Sequence, residues 1–157
     1  MPIILGIIKI MRIFAYYNRY SLKLTSMKKL NVLASTTLNK MISMMVDGYI
    51  KIDNSGGSFM PVSAEIIFEN HKYRIVSVAH YYEQCGDLMA DPEMCFIYIK
   101  ADGAYLPSYF KQDNIGMEQE SILIEEGKIK GYRLKLQSDH TFFANKWLHS
   151  IKQQQNL

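Results

Sequence analysis

Two different spacings of apolar residues predict where this chain forms helices and where it forms strands. Over residues 27–46, apolar side chains recur every three or four positions, which is typical of one face of an amphipathic helix. Asp47-Gly48 ends that pattern with turn residues. A second helix is predicted near the C-terminus, with Ser138 as its N-cap and with aromatic and aliphatic residues four positions apart at Phe143, Trp147 and Ile151.

Between the helices the chain contains short runs rich in β-branched and aromatic residues. The runs AEIIFE, KYRIVSVAHYY and MCFIYIK are separated by turn residues, and SILIE and KGYRLKL flank Glu126-Gly127 as a further hairpin. The order of elements predicts an α+β fold. We expect an N-terminal helix, an antiparallel sheet of about five or six strands, and a C-terminal helix packed on the sheet.

The second of these runs has two distinct sides. Val76, Val78, His80 and Tyr82 point to one face of the predicted strand, whereas Ile75, Ser77, Ala79 and Tyr81 point to the other. His80 therefore shares a face with valines, where a histidine is more often a hydrogen-bonded core residue than a ligand or a base. Gly86-Asp87 and Asp91-Pro92 bracket a predicted connection to the next strand.

Length and cysteine content set limits on domain number and compartment. The 157 residues suit one domain, which we place at residues 27–157. Residues 1–26 form a basic, apolar extension that is either poorly ordered or a mis-assigned start, and its apolar run is too short to span a membrane. The two cysteines fit neither a disulfide scaffold nor a zinc site, so we expect a cytoplasmic protein.

The net charge of +3 conceals an uneven distribution along the chain. Residues 1–30 contain six basic side chains and no acid, whereas residues 80–120 contain eight acids and two lysines. An acidic surface attracts basic partners, and it disfavours direct nucleic-acid binding because phosphates need lysine and arginine. We therefore expect a protein partner for the central segment.

The acids of the central segment also suggest a metal site. Asp87, Asp91 and Asp113 are candidate ligands for a divalent cation, which prefers carboxylate oxygens and water. His80 and Glu93 are the candidate general bases in that case. The spacing matches no known metal or nucleophile motif, and no cofactor is otherwise expected.

Three segments resemble a family of small uncharacterised domains from bacterial plasmids, conjugative elements and prophages. They are HYYEQCGDLMADPEM (80–94), YFKQDNIGMEQE (109–120) and FANKWLHSIKQQ (143–154), and the core Gly-Asp-Leu-Met-x-Asp-Pro-Glu-Met is the most specific part. The resemblance implies no activity. This chain departs from the family pattern at Cys85 and Ser150, where asparagine is expected. The residues that the resemblance singles out are His80, Gln84, Gly86, Asp87, Asp91, Pro92, Glu93, Met94, Gln112, Asp113, Gly116, Gln119, Trp147 and Gln153. Of these, the candidate binding residues are His80, Gln84, Gly86, Asp87, Asp91, Glu93, Gln112, Asp113 and Gln119.

Two hypotheses follow from the acids and the resemblance together. The first is a non-enzymatic accessory protein of a mobile genetic element, whose acidic central surface engages a host or element-encoded protein, including by imitating the charge of a nucleic acid. The alternative is a metal-dependent hydrolase or phosphodiesterase that uses His80, Asp87, Asp91, Glu93 and Asp113. The sequence identifies neither a reaction nor an oligomeric state.

Overall fold

The computed structural model describes residues 26–157, and the predicted extension of residues 1–26 lies outside that range except for Ser26. Along the chain, helix α1 (Val32–Ser43) precedes eight strands, and helix α2 (Leu134–Gln154) follows them. The strands are β1 (Tyr49–Ile52), β2 (Val62–Glu69), β3 (Tyr73–Gln84), β4 (Asp87–Ile99), β5 (Ala104–Gln112), β6 (Met117–Glu120), β7 (Ile122–Glu125) and β8 (Lys128–Tyr132), and a 3-10 turn covers Asp113–Ile115.

The predicted α+β fold is confirmed. Strands β1 to β6 form one antiparallel sheet in which every strand lies beside its neighbour in the chain, and β7 and β8 form a separate hairpin. Such a meander needs only short turns, which the sequence supplies at Asn70-His71 and Asp102-Gly103, while Glu126-Gly127 turns the separate hairpin. Long strands β3 and β4 form the centre of the sheet.

One face of the six-stranded sheet packs against both helices and forms the main core. Val76, Val78, Met94 and Phe96 are fully buried there by Leu38 and Met41 of α1 and Leu148 and Ile151 of α2. We call this side the inner face. A smaller cluster lies on the opposite face at one end of the sheet, where the β7–β8 hairpin and Met27 cover Ile97 and Leu106. The rest of that opposite side is the outer face.

The first helix is shorter than predicted because the chain before it makes extended contacts. Gln137 bonds both the N–H and the carbonyl of Lys28 at 2.8 Å, and the N–H of Leu30 donates to the carbonyl of Tyr105. Asn31 then caps the helix by accepting a hydrogen bond from the N–H of Ala34 at 2.9 Å. The predicted start at residue 27 is therefore wrong, since these backbone groups are already bonded elsewhere.

The second helix begins earlier than predicted. It starts at Leu134, directly after β8 ends at Tyr132, and Ser138 lies inside it instead of capping it. Gln137 and His140 are buried in the helix and bond to neighbouring segments. The KGYRLKL run therefore divides between strand and helix, and the buried contacts of Gln137 and His140, which follow the run, hold the helix that includes its second half.

The predicted connection between Gly86-Asp87 and Asp91-Pro92 is also wrong. Strands β3 and β4 are joined by the two residues Cys85 and Gly86 alone, and Asp91-Pro92 lies within β4 with a cis peptide bond. Ala79 pairs with Glu93 and Tyr81 pairs with Ala90, so His80 faces two residues, Asp91 and Pro92, in a β-bulge. The bulge gives proline a place in a central strand, where a regular ladder would exclude it.

In the part of the chain that the structure describes, neither helix combines the length and the apolar run that crossing a bilayer requires.

Truncation of Leu148 tests the inner-face core. This side chain is fully buried, so Leu148→Ala should lower the free energy of unfolding by about 2–5 kcal/mol through lost burial and a residual cavity. Leu134→Ala is the matched control on the same helix, because Leu134 is 52% exposed. Urea denaturation of both variants measures the difference, and equal losses would contradict the assigned core.

Candidate functional site

The hairpin between β3 and β4 ends in a tight two-residue turn. Cys85 has φ 54° and Gly86 has φ 86°, while Gln84 and Asp87 pair across the ladder. This turn geometry favours asparagine followed by glycine, because both central positions need positive φ. The asparagine that the resemblance predicts at position 85 is therefore explained by backbone conformation. Gln84, Gly86 and Asp87 are exposed at the tip, and they lie away from the bulge where Asp91 is found.

Asp91, Gln112 and Asp113 fasten the end of β5 to the bulged part of β4. Gln112 Nε2 donates to Asp91 Oδ1 at 3.0 Å, and the N–H of Ala90 donates to Asp113 Oδ2 at 2.7 Å. The bond from Ala90 and the ammonium of Lys111 hold the pKa of Asp113 below its usual value. These contacts give both carboxylates a structural role in the described chain.

His80 and Gln119 lie on the inner face, beneath α2. His80 is 6% exposed, its Nδ1 lies 2.9 Å from the carbonyl oxygen of Pro61, and the ring of Trp147 meets it edge-on. Gln119 Oε1 lies 3.2 Å from His140 Nε2. The environment of His80 agrees with the interpretation of a hydrogen-bonded core histidine.

The predicted metal-site residues do not converge. Asp87 is at the hairpin tip, Asp91 is at the bulge, His80 faces the inner core and Glu93 lies on the outer face. Across residues 26–157, no group of three or more histidine, cysteine, aspartate or glutamate side chains could hold a metal ion. The β-alternation and the bulge send near neighbours in sequence to different sides of the sheet.

The outer face instead brings together polar residues from six strands. Directly paired residues share a face, so the strand register defines two rows across the sheet. One row contains Tyr49, Glu65, Ser77, Cys95, Tyr109 and Glu120. The adjacent row contains Lys51, Ser63, Ala79, Glu93, Lys111 and Glu118.

A cavity of about 370 Å³ opens on this face above β3, and we call it the outer-face cleft. Ser77 and Ala79 are small and buried, and they leave a depression between larger neighbours. Tyrosine, lysine, glutamate and serine side chains supply most of the remaining lining. The cleft is lined by Tyr49, Lys51, Pro61, Ser63, Ala64, Glu65, Ser77, Ala79, Tyr81 and Leu88.

Carboxylates dominate the charge of the outer face. Its rows and the adjoining end of β3 carry Glu65, Glu83, Glu93, Glu118 and Glu120 against Lys51 and Lys111. Glu93 Oε1 accepts a hydrogen bond from Ser77 Oγ at 2.7 Å, and Glu118 accepts one from the Tyr109 hydroxyl at 2.8 Å. Only some acids of the central segment therefore lie on the outer face. Asp87, Asp91, Asp102 and Asp113 lie elsewhere.

Tyr81, Tyr109 and Cys95 of this face remain protonated at neutral pH, because the pKa of each is raised well above its usual value. Burial, followed by the nearby charges of Glu93 and Glu65 among others, raises the pKa of Tyr81 to about 12. Burial also raises the pKa of the Cys95 thiol to about 12, so this thiol is not a reactive thiolate. The outer face therefore offers the neutral hydroxyl groups of Tyr81 and Tyr109 beside its carboxylates.

The comparisons with known proteins identify the family. The family described as domain of unknown function (DUF6908) matches residues 27–157, which is most of the chain. The protein belongs to this family. No curated protein and no solved structure matches this DUF6908 chain.

Sequence reasoning identified only one residue of the DUF6908 outer face, Glu93, as a site candidate. It missed Tyr49, Lys51, Glu65 and Tyr81, which come from three other strands. One signal in the sequence could have pointed to this face. In the alternating pattern of β3, Ser77, Ala79 and Tyr81 stand where a strand buried on both faces would have large apolar residues. The family resemblance drew attention to residues that mainly build the hairpin and the bulge.

Replacement of Cys85 tests the turn interpretation. Cys85→Asn should raise the free energy of unfolding by about 0.5–1 kcal/mol, because asparagine tolerates positive φ better than cysteine does. Cys85→Ala is the control, since alanine keeps the conformational penalty and gains no local hydrogen bond. Urea denaturation in a reducing buffer compares the three proteins. Equal stability of the asparagine and alanine variants would contradict this explanation.

The burial of His140 predicts acid sensitivity. Burial, with a smaller contribution from the charge of Arg133, lowers the pKa of His140 to about 4. The unfolded state binds its proton near pH 6.5, so stability is fully present above that pH and is lost as the pH falls toward 4. Between pH 7.5 and 5, we expect a loss of roughly 1–2 kcal/mol from this residue.

Urea denaturation at both pH values measures that loss. His140→Gln cannot titrate, so its stability should depend less on pH than that of the unmodified protein. His149→Gln is the matched control on the exposed side of the same helix and should leave the pH dependence unchanged. A His140→Gln variant with full acid sensitivity would show that another group is responsible.

Proposed function

We propose that this DUF6908 protein is a non-enzymatic binding protein that uses its outer face to engage a basic protein. The observation that carries the proposal is the presence of five carboxylates and three tyrosines on one sheet surface that the helices leave uncovered. The acidic charge attracts a partner of opposite sign. Tyrosines supply rigid contact area with a polar end, which is why they are enriched in interfaces.

The resemblance to domains of plasmids, conjugative elements and prophages supports a role as an accessory protein of a mobile element, acting in the cytoplasm. In that setting, a host or element-encoded protein with a basic surface is the expected partner. A nucleic-acid-binding protein is one such class, since carboxylates on the outer face would occupy the place of phosphates. Direct binding of nucleic acid to this face is disfavoured, because its carboxylates repel phosphates.

The contacts of the described residues make the metal-dependent hydrolase the weaker hypothesis. Asp91 accepts a side-chain amide and Asp113 accepts a backbone N–H, and both bonds tie strands together. Within residues 26–157, neither carboxylate belongs to a group of three or more histidine, cysteine, aspartate or glutamate side chains that could hold a metal ion.

Charge removal on the outer face tests the proposed function. The unmodified protein and the triple variant Glu65→Gln/Glu93→Gln/Glu118→Gln are each immobilised and exposed to extract from a bacterial host of such elements. The unmodified protein should retain basic partners, and the triple variant should lose them. Partners are identified and quantified by mass spectrometry. Retention should fall as salt rises from about 0.1 M to about 1 M, because the screening length shrinks from roughly 10 Å to 3 Å.

The control variant removes three charges from other places in the fold. Asp47→Asn/Glu126→Gln/Asp139→Asn changes the turn before β1, the β7–β8 turn and the exposed side of α2. It should retain the same partners as the unmodified protein. Retention of one partner set by all three proteins, or retention that does not depend on salt, would refute the proposed function.

A further inference from the structure

The outer-face cleft has the form of a receptor for a single side chain. Its floor is made by Ser77 and Ala79 on β3, whose side chains are small and buried. Tyr81, two residues further along the same strand, forms one end. A cavity of about 370 Å³ is large enough for a long side chain and its bound water.

Carboxylates stand on both sides of that floor. Glu65 of β2 pairs with Ser77, and Glu93 of β4 pairs with Ala79, so the two acids approach β3 from opposite directions. The charges of both carboxylates contribute to the raised pKa of the Tyr81 phenol, so Tyr81 lies within electrostatic range of each. Lys51 supplies the only positive charge among the residues that line the cleft, and Lys111, which pairs with Glu93 from β5, forms an ion pair with Asp113 at 3.3 Å.

The position of Glu93 is fixed, whereas Glu65 is exposed. The hydroxyl of Ser77 holds one oxygen of Glu93 at 2.7 Å, which orients the carboxylate beside the floor of the cleft. Glu65 makes no ion pair with another described residue, which leaves its carboxylate available to a ligand. A cation above Ser77 and Ala79 would thus meet one preoriented carboxylate and one adaptable carboxylate.

We infer that the outer-face cleft receives an arginine side chain of the basic protein partner, seated above Ser77 and Ala79 between Glu65 and Glu93 and against the ring of Tyr81. This inference rests on the proposed function and names the group that the surface recognises. A guanidinium has several donors in one plane, so it can bond two carboxylates at once, and its flat face stacks on an aromatic ring. An ammonium is a compact, strongly hydrated charge that does neither as well.

The preference for arginine over lysine is the property to measure. Fluorescence anisotropy of labelled nonaarginine and nonalysine, titrated with the full-length protein, compares two probes of the same charge. We expect the arginine peptide to bind about tenfold more tightly, because only guanidinium groups use the cleft. Glu65→Gln/Glu93→Gln should reduce this ratio to about one. Tyr81→Leu should reduce the ratio, and Tyr81→Phe should preserve most of it because the ring remains.

A control on the same surface separates the cleft from general charge. Glu83→Gln/Glu118→Gln removes the same charge from the outer face without touching the cleft lining. It should weaken both peptides similarly and leave the ratio near its original value. Thermal unfolding of each variant confirms that the fold is intact.

The possible outcomes distinguish this inference from the proposed function. Equal affinities of the two peptides, or equal effects of the two double variants on the ratio, would overturn the arginine receptor and leave an acidic binding face. Absence of binding by both peptides would overturn the arginine receptor and would also count against the acidic face as a binding surface. An arginine preference that only the cleft variants abolish would support the inference.

Discussion

Burial of the inner face beneath both helices is the constraint on which the rest of this structure depends. The central strands β3 and β4 present valines, methionine and phenylalanine to α1 and α2, and these side chains are excluded from water. Because side chains alternate along a strand, fixing one face of β3 and β4 fixes what the other face displays. The polar surface that we propose as the binding site is therefore a consequence of how the core is built.

The bulge opposite His80 changes the pairing of β3 with β4 between the core and the tip of the hairpin. Asp91 and Pro92 together oppose one residue of β3, so the register shifts and the last part of the hairpin continues with a changed pairing. Asp113 and Gln112 bond to β4 at this point and hold the end of β5 against it. His80 is fastened to Pro61 beside the same bulge, which links the inner core to the irregular part of the sheet.

Most residues that the family resemblance singles out have an architectural explanation in this fold. Gly86 allows the hairpin turn, Asp91 and Gln112 bond each other, and Gln119 contacts a buried histidine. Glu93 differs, because it lies on the outer face beside the cleft. The motif that carries the resemblance is therefore largely explained by the fold, and most of the proposed binding surface is formed by residues outside it.

The sequence by itself determined the fold class, the presence of the two helices, the turns at Asn70-His71, Asp102-Gly103 and Glu126-Gly127, and the burial of His80 among valines. These features depend on local spacing and turn chemistry, which the chain carries in every conformation. Tertiary structure alone decided that α1 begins at Val32, that α2 begins at Leu134 and that Asp91-Pro92 lies within a strand. It also decided that the acids of residues 80–120 separate and that Tyr49, Glu65 and Tyr81 share a cleft. Strand register brings these residues together, and register depends on pairings between segments that are distant in sequence.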